Sequence, residues 1–404
     1  MRQRRLIKLV APALISVVAL AACGERNEGG NNTDGGEKKT AKIGVIAPLS
    51  GDLSALGLGI RNAVDLAIRQ ANQNNKVPGW NLVLAAEDDQ ATANVGAQAA
   101  SKLASDSAVV GVVGTLNSSV AEQVAPVLQQ SHIVQVSPAN TGVALTGRDN
   151  LASQKRKYTN YYRVATTDDI QGPFAAQYLL GTGVKKVAIV HDRKTYGQGL
   201  QAAFAAEFKK GGGTVTITET INPGDKLFQG VVTKVLNSGP EAVYYGGEFP
   251  EAAPLSKQLH DGGFKGPLMG GDGIYSDKFI ETGGVQGDLA TSVGAPTESL
   301  ASAKLFVDSY KQAGFAEPYE AYGAYAFDAA NVIIEAMAKV LKNDTEINEQ
   351  SRQQIVDEVG KVSIGGVTGQ VAFDQFGDTT TKVLTVYTVQ GKKWVAKKTD
   401  SFTQ

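Results

Sequence analysis

Short runs of β-branched residues alternate with amphipathic stretches along this chain, and that alternation admits few folds. From Lys42 the order is KIGVIAP, IRNAVDLAIRQANQ, NLVLAAED, VGAQAASKLAS and AVVGVVG, which predicts strand, helix, strand, helix, strand. Ile60, Ala63, Val64, Ala67 and Ile68 fall on one helical face, which has to lie against a sheet. The strand runs are apolar without a break, as parallel strands covered on both faces are. After residues 161–166 the same grammar restarts with FAAQYLLGTG, KKVAIVHD, LQAAFAAEFKKG, TVTITET, FQGVVTKVLNSG, AVYYGG, EAAPLSKQLHDGG and PLMGGDG, so a second α/β unit follows the first. Open parallel sheets meet their ligands at the carboxyl ends of strands. The turns there read LSGD, GTLNSS, SPANTG, HDRKTYGQG, GGEFPE and GGDGIYS. Nearly all these residues are small or polar, as loops that approach a small ligand need to be.

The N-terminus follows other rules. Arg2, Arg4, Arg5 and Lys8 precede an uncharged run from Leu9 to Ala22 that closes on small residues, the pattern of a signal peptide over residues 1–22. Interrupted by Pro12 and Ser16, the run is shorter than the roughly 20 apolar residues that span a bilayer. Leu20-Ala21-Ala22-Cys23 resembles the bacterial lipobox, whose cysteine takes a diacylglyceryl group and becomes the new N-terminus. The expected address is the outer face of the cytoplasmic membrane, with the body anchored through lipid on Cys23. Cys23 is also the only cysteine, so no internal disulfide is available and stability rests on core burial. Residues 24–40 contain no aliphatic or aromatic side chain of any size, so residues 23–40 are expected to be a flexible tether of roughly 20–25 Å root-mean-square span.

The composition excludes several functions. The chain has 39 basic and 40 acidic residues; without the four basic residues of the signal peptide the balance is 35 to 40, a formal charge of −5, which offers nothing to nucleic acid. Only His132, His191 and His260 are present, and HExxH, GxSxG and Walker motifs are missing from the sequence. GLGIRN from Gly57 starts like a dinucleotide fingerprint, but Asn62 stands where the third glycine belongs. Neither an enzyme nor a cofactor or metal site is expected. His191 and Asp192 would suggest acid–base chemistry only beside a nucleophile, and a structural role fits them better.

The segments IGVIAPLSGD, VVGTLNSS, VSPANTG, AIVHDRKTYGQG and VYYGGEFPEA resemble, in order and spacing, the branched-chain amino acid binding proteins of ABC transporters. The likeness runs from about Lys42 to about Lys393. It implies a two-lobed α/β fold of the periplasmic-binding-protein type I class, each lobe a mainly parallel sheet flanked by helices, with three inter-lobe crossovers. Residues 41–165 and 295–368 would form lobe I, and residues 166–294 and 369–404 lobe II. It further implies a monomeric receptor that captures a small amino acid and delivers it to permease subunits. The same fold can instead signal to a membrane partner, and the sequence leaves that sensor reading open.

A free amino acid needs separate partners for its carboxylate and its ammonium once water is excluded. Ser118, at the start of a predicted helix, can offer a hydroxyl and backbone N–H groups to the carboxylate. On local sequence alone Ser118 is equally an ordinary N-cap, with Asn117 and Ser119 as other candidates. The resemblance makes Ser118 the anchor and Thr141 a second hydroxyl, assigns Asp272 and the Ala139 carbonyl to the ammonium, and places Tyr196 over the ligand. It also locates two departures: Glu248 stands where an aromatic is expected, and Leu56 replaces another. Glu248 is expected to face solvent, to pair with a lobe I base on closure, or to meet a polar ligand.

Overall fold

The computed structural model describes residues 38–150, 155–342, 344 and 346–402; Asn150 is placed by its backbone alone. The signal peptide, Cys23 and residues 24–37 of the expected tether lie outside them. No described helix is long and apolar enough to cross a membrane.

The first sheet holds β1 (Lys39–Ala47), β2 (Trp80–Asp88), β3 (Val109–Gly114), β4 (Val134–Ser137) and β5 (Tyr161–Arg163), all parallel, in the order β2-β1-β3-β4-β5. Helices α1 (Ser54–Gln73), α2 (Ala93–Ser105) and α3 (Ser118–Gln130) connect its strands. After the chain leaves β5 come α4 (Asp168–Gly181), β6 (Lys186–His191), α5 (Thr195–Lys210), β7 (Thr214–Thr220), α6 (Gln229–Asn237), β8 (Ala242–Gly246), α7 (Phe249–Asp261), β9 (Leu268–Gly270), α8 (Asp277–Thr282) and β10 (Leu289–Ser292). The chain then returns to the first sheet with α9 (Lys304–Gln312), α10 (Gly323–Val340) and α11 (Glu349–Val359). A small hairpin, β11 (Ser363–Gly366) with β12 (Gly369–Ala372), precedes β13 (Val383–Gln390) and β14 (Lys393–Ser401). The second sheet runs β14-β13-β10-β9-β8-β6-β7, five parallel strands edged by an antiparallel ribbon.

Period-two side-chain alternation divides each central strand between two packed layers. In β1, Ile43 and Val45 pack with α1 and α10, whereas Ile46 faces the opposite layer with α2 and α3. In β6, Val187 and Ile189 meet Phe174, Phe204 and Phe208, while Ala188 and Val190 turn to the other side. Strand order reverses between β1 and β3 in one sheet and between β6 and β8 in the other, so each sheet opens a crevice at its carboxyl edge there.

Three sequence expectations shift at their edges. β1 begins at Lys39, so the last two residues assigned to the tether pair with Trp80 and Asn81; backbone pairing requires no apolar side chain. α4 starts six residues before Phe174, because Thr167 ends the extended segment and Asp168 and Asp169 occupy the first turn, with Pro173 inside the helix. The boundary drawn between residues 368 and 369 cuts through the β11–β12 hairpin, whose turn is held by Asp328 of α10 through the Val367 and Thr368 amides. The chain joins the second sheet only at β13.

The chain passes between the sheets at residues 164–167, 293–303 and 373–382. Arg163, fully buried at the end of β5, binds the last of these segments. Its Nε lies 2.5 Å from Asp378 Oδ1, Nη1 donates to the Asn140 and Gly142 carbonyls at 3.2 and 2.7 Å, and Nη2 donates to Thr146 Oγ1 at 2.8 Å. One guanidinium thus fixes the loop after β4 and the third crossing together. Arg163→Met would leave the Asn140 carbonyl without its donor and Asp378 with only Thr146 and the more distant Arg148; we expect a loss of about 3 kcal/mol, read as a lower urea midpoint.

Candidate functional site

Each switch point presents a turn to the other sheet. After β3 the backbone enters α3 at Ser118 with Asn117 as the residue before it; the Asn117 carbonyl accepts the Val120 and Ala121 N–H groups. The Ser118 and Ser119 amides sit in the first turn, where an α-helix has no internal acceptor for them. Ser118 is therefore the first helical residue and Asn117 the cap position. Ser118 Oγ accepts from the Gly142 amide at 3.2 Å, tying the turn to the loop after β4. In that loop Thr141 Oγ1 is buried beside the Asp168 carboxyl without a hydrogen bond of ordinary geometry. Among the described residues the Ala139 carbonyl accepts no hydrogen bond.

Opposite them, Asp272 stands in the turn after β9, 2 % exposed. Its Oδ1 accepts from Gln171 Nε2 at 3.0 Å and Tyr196 Oη at 2.8 Å, and its Oδ2 accepts from Tyr322 Oη at 2.9 Å. All three donors are uncharged. Burial raises the Asp272 pKa above the ordinary aspartate value, and these hydrogen bonds only partly offset it. Asp168, fully buried at the start of α4, is pushed well up by burial, with the Asp272 charge adding to the shift. Gly271 is required by contact: a Cβ there would come within 2.3 Å of Tyr196 Oη.

Glu248 is not turned to solvent. It is 5 % exposed at the cap of α7, with Oε2 2.8 Å from Lys194 Nζ and Oε1 accepting from Asn117 Nδ2 at 2.6 Å. Burial works against its charge, but Lys194 and Asn117 outweigh that and hold its pKa below the usual glutamate value. The expected partner from the other wall is thus an amide; the base comes from Glu248's own side. Asp192 and His191 serve the turn: Asp192 Oδ1 accepts the Lys194 amide at 3.0 Å and His191 Nδ1 accepts the Arg193 amide at 3.2 Å.

Asn117, Ser118, Ala139, Thr141, Tyr196, Glu248 and Asp272 all line one cavity, with Leu56, Leu116, Gly273 and Tyr322 completing it. Its free volume is about 20 Å3, room for about one water, so the two walls are shut on each other. Thr195 Oγ1 donates to Glu122 at 3.1 Å and Lys226 pairs with Asp52 at 3.0 Å across the same seam. Sequence reasoning missed Tyr322, Gln171 and Lys194. Gln171 lies just beyond the first crossing and Lys194 stands close to Tyr196 in the turn already singled out, so proximity to those features is the signal that could have found them; Tyr322, on the far side of α9 from the second crossing, carries no such signal.

A family model described as periplasmic binding protein matches residues 40–394. The chain is 33% identical over 359 residues to the Leu/Ile/Val-binding protein BraC3 of Rhizobium johnstonii, covering 88% of this chain and 92% of that protein. It is 35% identical over 294 residues to Leu/Ile/Val-binding protein homolog 3 of Brucella melitensis, covering 72% and 77%. The crystal structure of the leucine binding protein LivK from Thermotoga maritima superposes with a TM-score of 0.79 at 26% identity, covering 89% of this chain and 98% of that one.

The raised Asp272 pKa carries a sign. A carboxyl that holds its proton more tightly folded than unfolded contributes stability at acid pH, lost as pH rises through the folded pKa. Asp272→Asn cannot ionise, so the ligand-free variant should melt above the parent at pH 8, by about 2–4 °C per kcal/mol of charge burial relieved, and lose that advantage near pH 4. Melting curves across that range check it.

Proposed function

The chain belongs to the periplasmic binding protein family, and from that premise we propose that it is an extracytoplasmic receptor which captures a small α-amino acid and delivers it to an ABC transporter permease. Its relatives' names point to the branched-chain type. The observation that carries the reading is the opposition of two chemistries across one seam. Buried Asp272 has donors but, among the described residues, no ion-pair partner, while the facing wall offers the α3 amides, Ser118 Oγ and Thr141 Oγ1, which lies beside the Asp168 carboxyl.

An α-amino acid satisfies both walls at once. Its carboxylate would take the helix N-terminus with Ser118 and Thr141, and its ammonium would take Asp272 and the Ala139 carbonyl. The ammonium restores the countercharge that Asp272 lacks, so binding favours the ionised carboxylate. Tyr196 and Tyr322 bring the two walls to the same carboxyl group, and ligand shifts an open–closed equilibrium toward the shape a permease can recognise. The three crossings are the hinge between the unit built on the first sheet and the unit built on the second. No bond is made or broken, and no group in the cavity is placed to do so. The lipid on Cys23 would keep the receptor near its permease, raising effective concentration without new contacts.

A second reading of the ligand rests on Glu248. The cavity ends on a charged Glu248–Lys194 pair and on Asn117, whose Oδ1 is buried without a donor. An aliphatic side chain leaves that oxygen unsatisfied, whereas a polar side chain with an N–H or O–H meets it.

A thermal-shift screen against all the protein amino acids tests the function: the true ligand raises the melting temperature by linkage. Asp272→Asn should weaken every α-amino acid by more than about tenfold; unchanged affinity would remove Asp272 from the site. Glu248→Gln separates the two ligand readings. If a polar side chain reaches Glu248, the order of affinities changes; if every ligand weakens by the same factor, Glu248 acts only between the walls.

A further inference from the structure

A second, larger cavity lies on the far side of the segments that carry Asp272 and Tyr322. It encloses about 1030 Å3, at the upper end of the roughly 300–1,000 Å3 of ligand pockets. Aromatic rings form its floor: Tyr275 stacks on Tyr387 at 4.2 Å between centroids, and Trp394 lies 5.7 Å from Tyr275. The Trp394 indole is fixed by donation of its Nε1–H to the Ser276 carbonyl at 2.9 Å.

Two carboxylates line the same cavity. Glu320, half-buried, accepts one hydrogen bond, from Ser276 Oγ at 3.1 Å. Glu298 accepts one from Tyr319 Oη. Neither has an ion-pair partner among the described residues; Lys278, close by in sequence, pairs instead with Glu281 at 2.6 Å. Glu320 also holds a left-handed backbone, φ +52°, which a residue with a side chain adopts at a cost. The lining as a whole carries four carboxylates, Asp277, Glu281, Glu298 and Glu320, against Lys392 and Lys393 at the tip of the β13–β14 ribbon.

We propose that this groove is a second binding site, for an organic ammonium ion with an apolar body. Aromatic faces and carboxylates both attract such a cation, and only it satisfies the two at once. A neutral aromatic would leave the half-buried Glu320 without countercharge. An anion would meet a net negative rim, and a bare metal ion would find rings where it needs oxygen ligands. The site shares its walls with the amino-acid cavity: residues 272–276 place Asp272 in one and Tyr275 in the other, and residues 319–322 place Tyr322 in one and Tyr319 in the other. The occupant would therefore touch both sides of the hinge.

Calorimetric titration of the purified protein with 2-phenylethylammonium, and with 2-phenylethanol as its uncharged counterpart, tests this. We expect the ammonium to bind at least about tenfold more tightly than the alcohol, and Glu298→Gln with Glu320→Gln to erase that difference while amino-acid binding persists. Glu298→Gln alone, at an exposed side chain, should show part of the loss and carries no risk to the fold. Asp272→Asn should leave the amine bound, which separates this site from the amino-acid cavity. Equal affinity for amine and alcohol, an unchanged amine affinity in the double variant, or loss of the amine in Asp272→Asn would each overturn the proposal.

Discussion

Asp272 is a carboxylate taken out of water and given three neutral hydrogen-bond donors, and the arrangement of the two sheets is subordinate to that fact. Hydrogen bonds from Gln171, Tyr196 and Tyr322 reduce the cost of burying its charge without cancelling it. Such a group is tolerable only in a seam that can open to solvent or admit a cation. The fold provides that seam by turning the carboxyl edges of two parallel sheets toward each other at their points of reversed strand order. Tyr196 arrives from the turn after β6, Asp272 from the turn after β9, and Tyr322 from the cap of α10 on the opposite wall.

Much of this was legible before any coordinates. β1, β3 and β6 announce themselves because burial on both faces demands uninterrupted apolar residues, and the amphipathic face of α1 is set by the sheet it covers. The turns that line the cavity were readable for a related reason: Gly271 and Gly142 leave room for neighbouring Tyr196 and Ser118 side chains, so the loops are written in small residues. The start of α4 was hidden, since Pro173 looks like a helix boundary. Tyr322 was invisible because its role exists only when two separate walls meet. Glu248 shows the sharpest limit. In a sequence, a glutamate beside glycines looks like a solvent-facing turn residue, and only the approach of Lys194 and Asn117 makes its burial affordable.

The two walls are not equally firm. On the first, Arg163 binds the Asn140 and Gly142 carbonyls and so clamps the loop that carries Thr141 on both flanks. Its partner Asp378 belongs to the third crossing, which couples the hinge to the same cation. Ser118 is joined to that loop through Gly142. The Ser118–Thr141 end of the cavity is thus preorganised within one wall, whereas the groups around Asp272 draw on both walls and are completed only when they meet.

Lys226 and Asp52, both more than half exposed, bridge the mouth of the seam 3.0 Å apart and do not line the cavity behind them. Such a pair has no means of distinguishing one occupant from another, yet it favours the shut arrangement and so multiplies the affinity of whatever is enclosed. The strength of capture and the choice of what is captured therefore reside in different residues. Exchanging a charge at the rim can retune the working concentration of the protein over a modest range while its order of preference stays fixed by the interior.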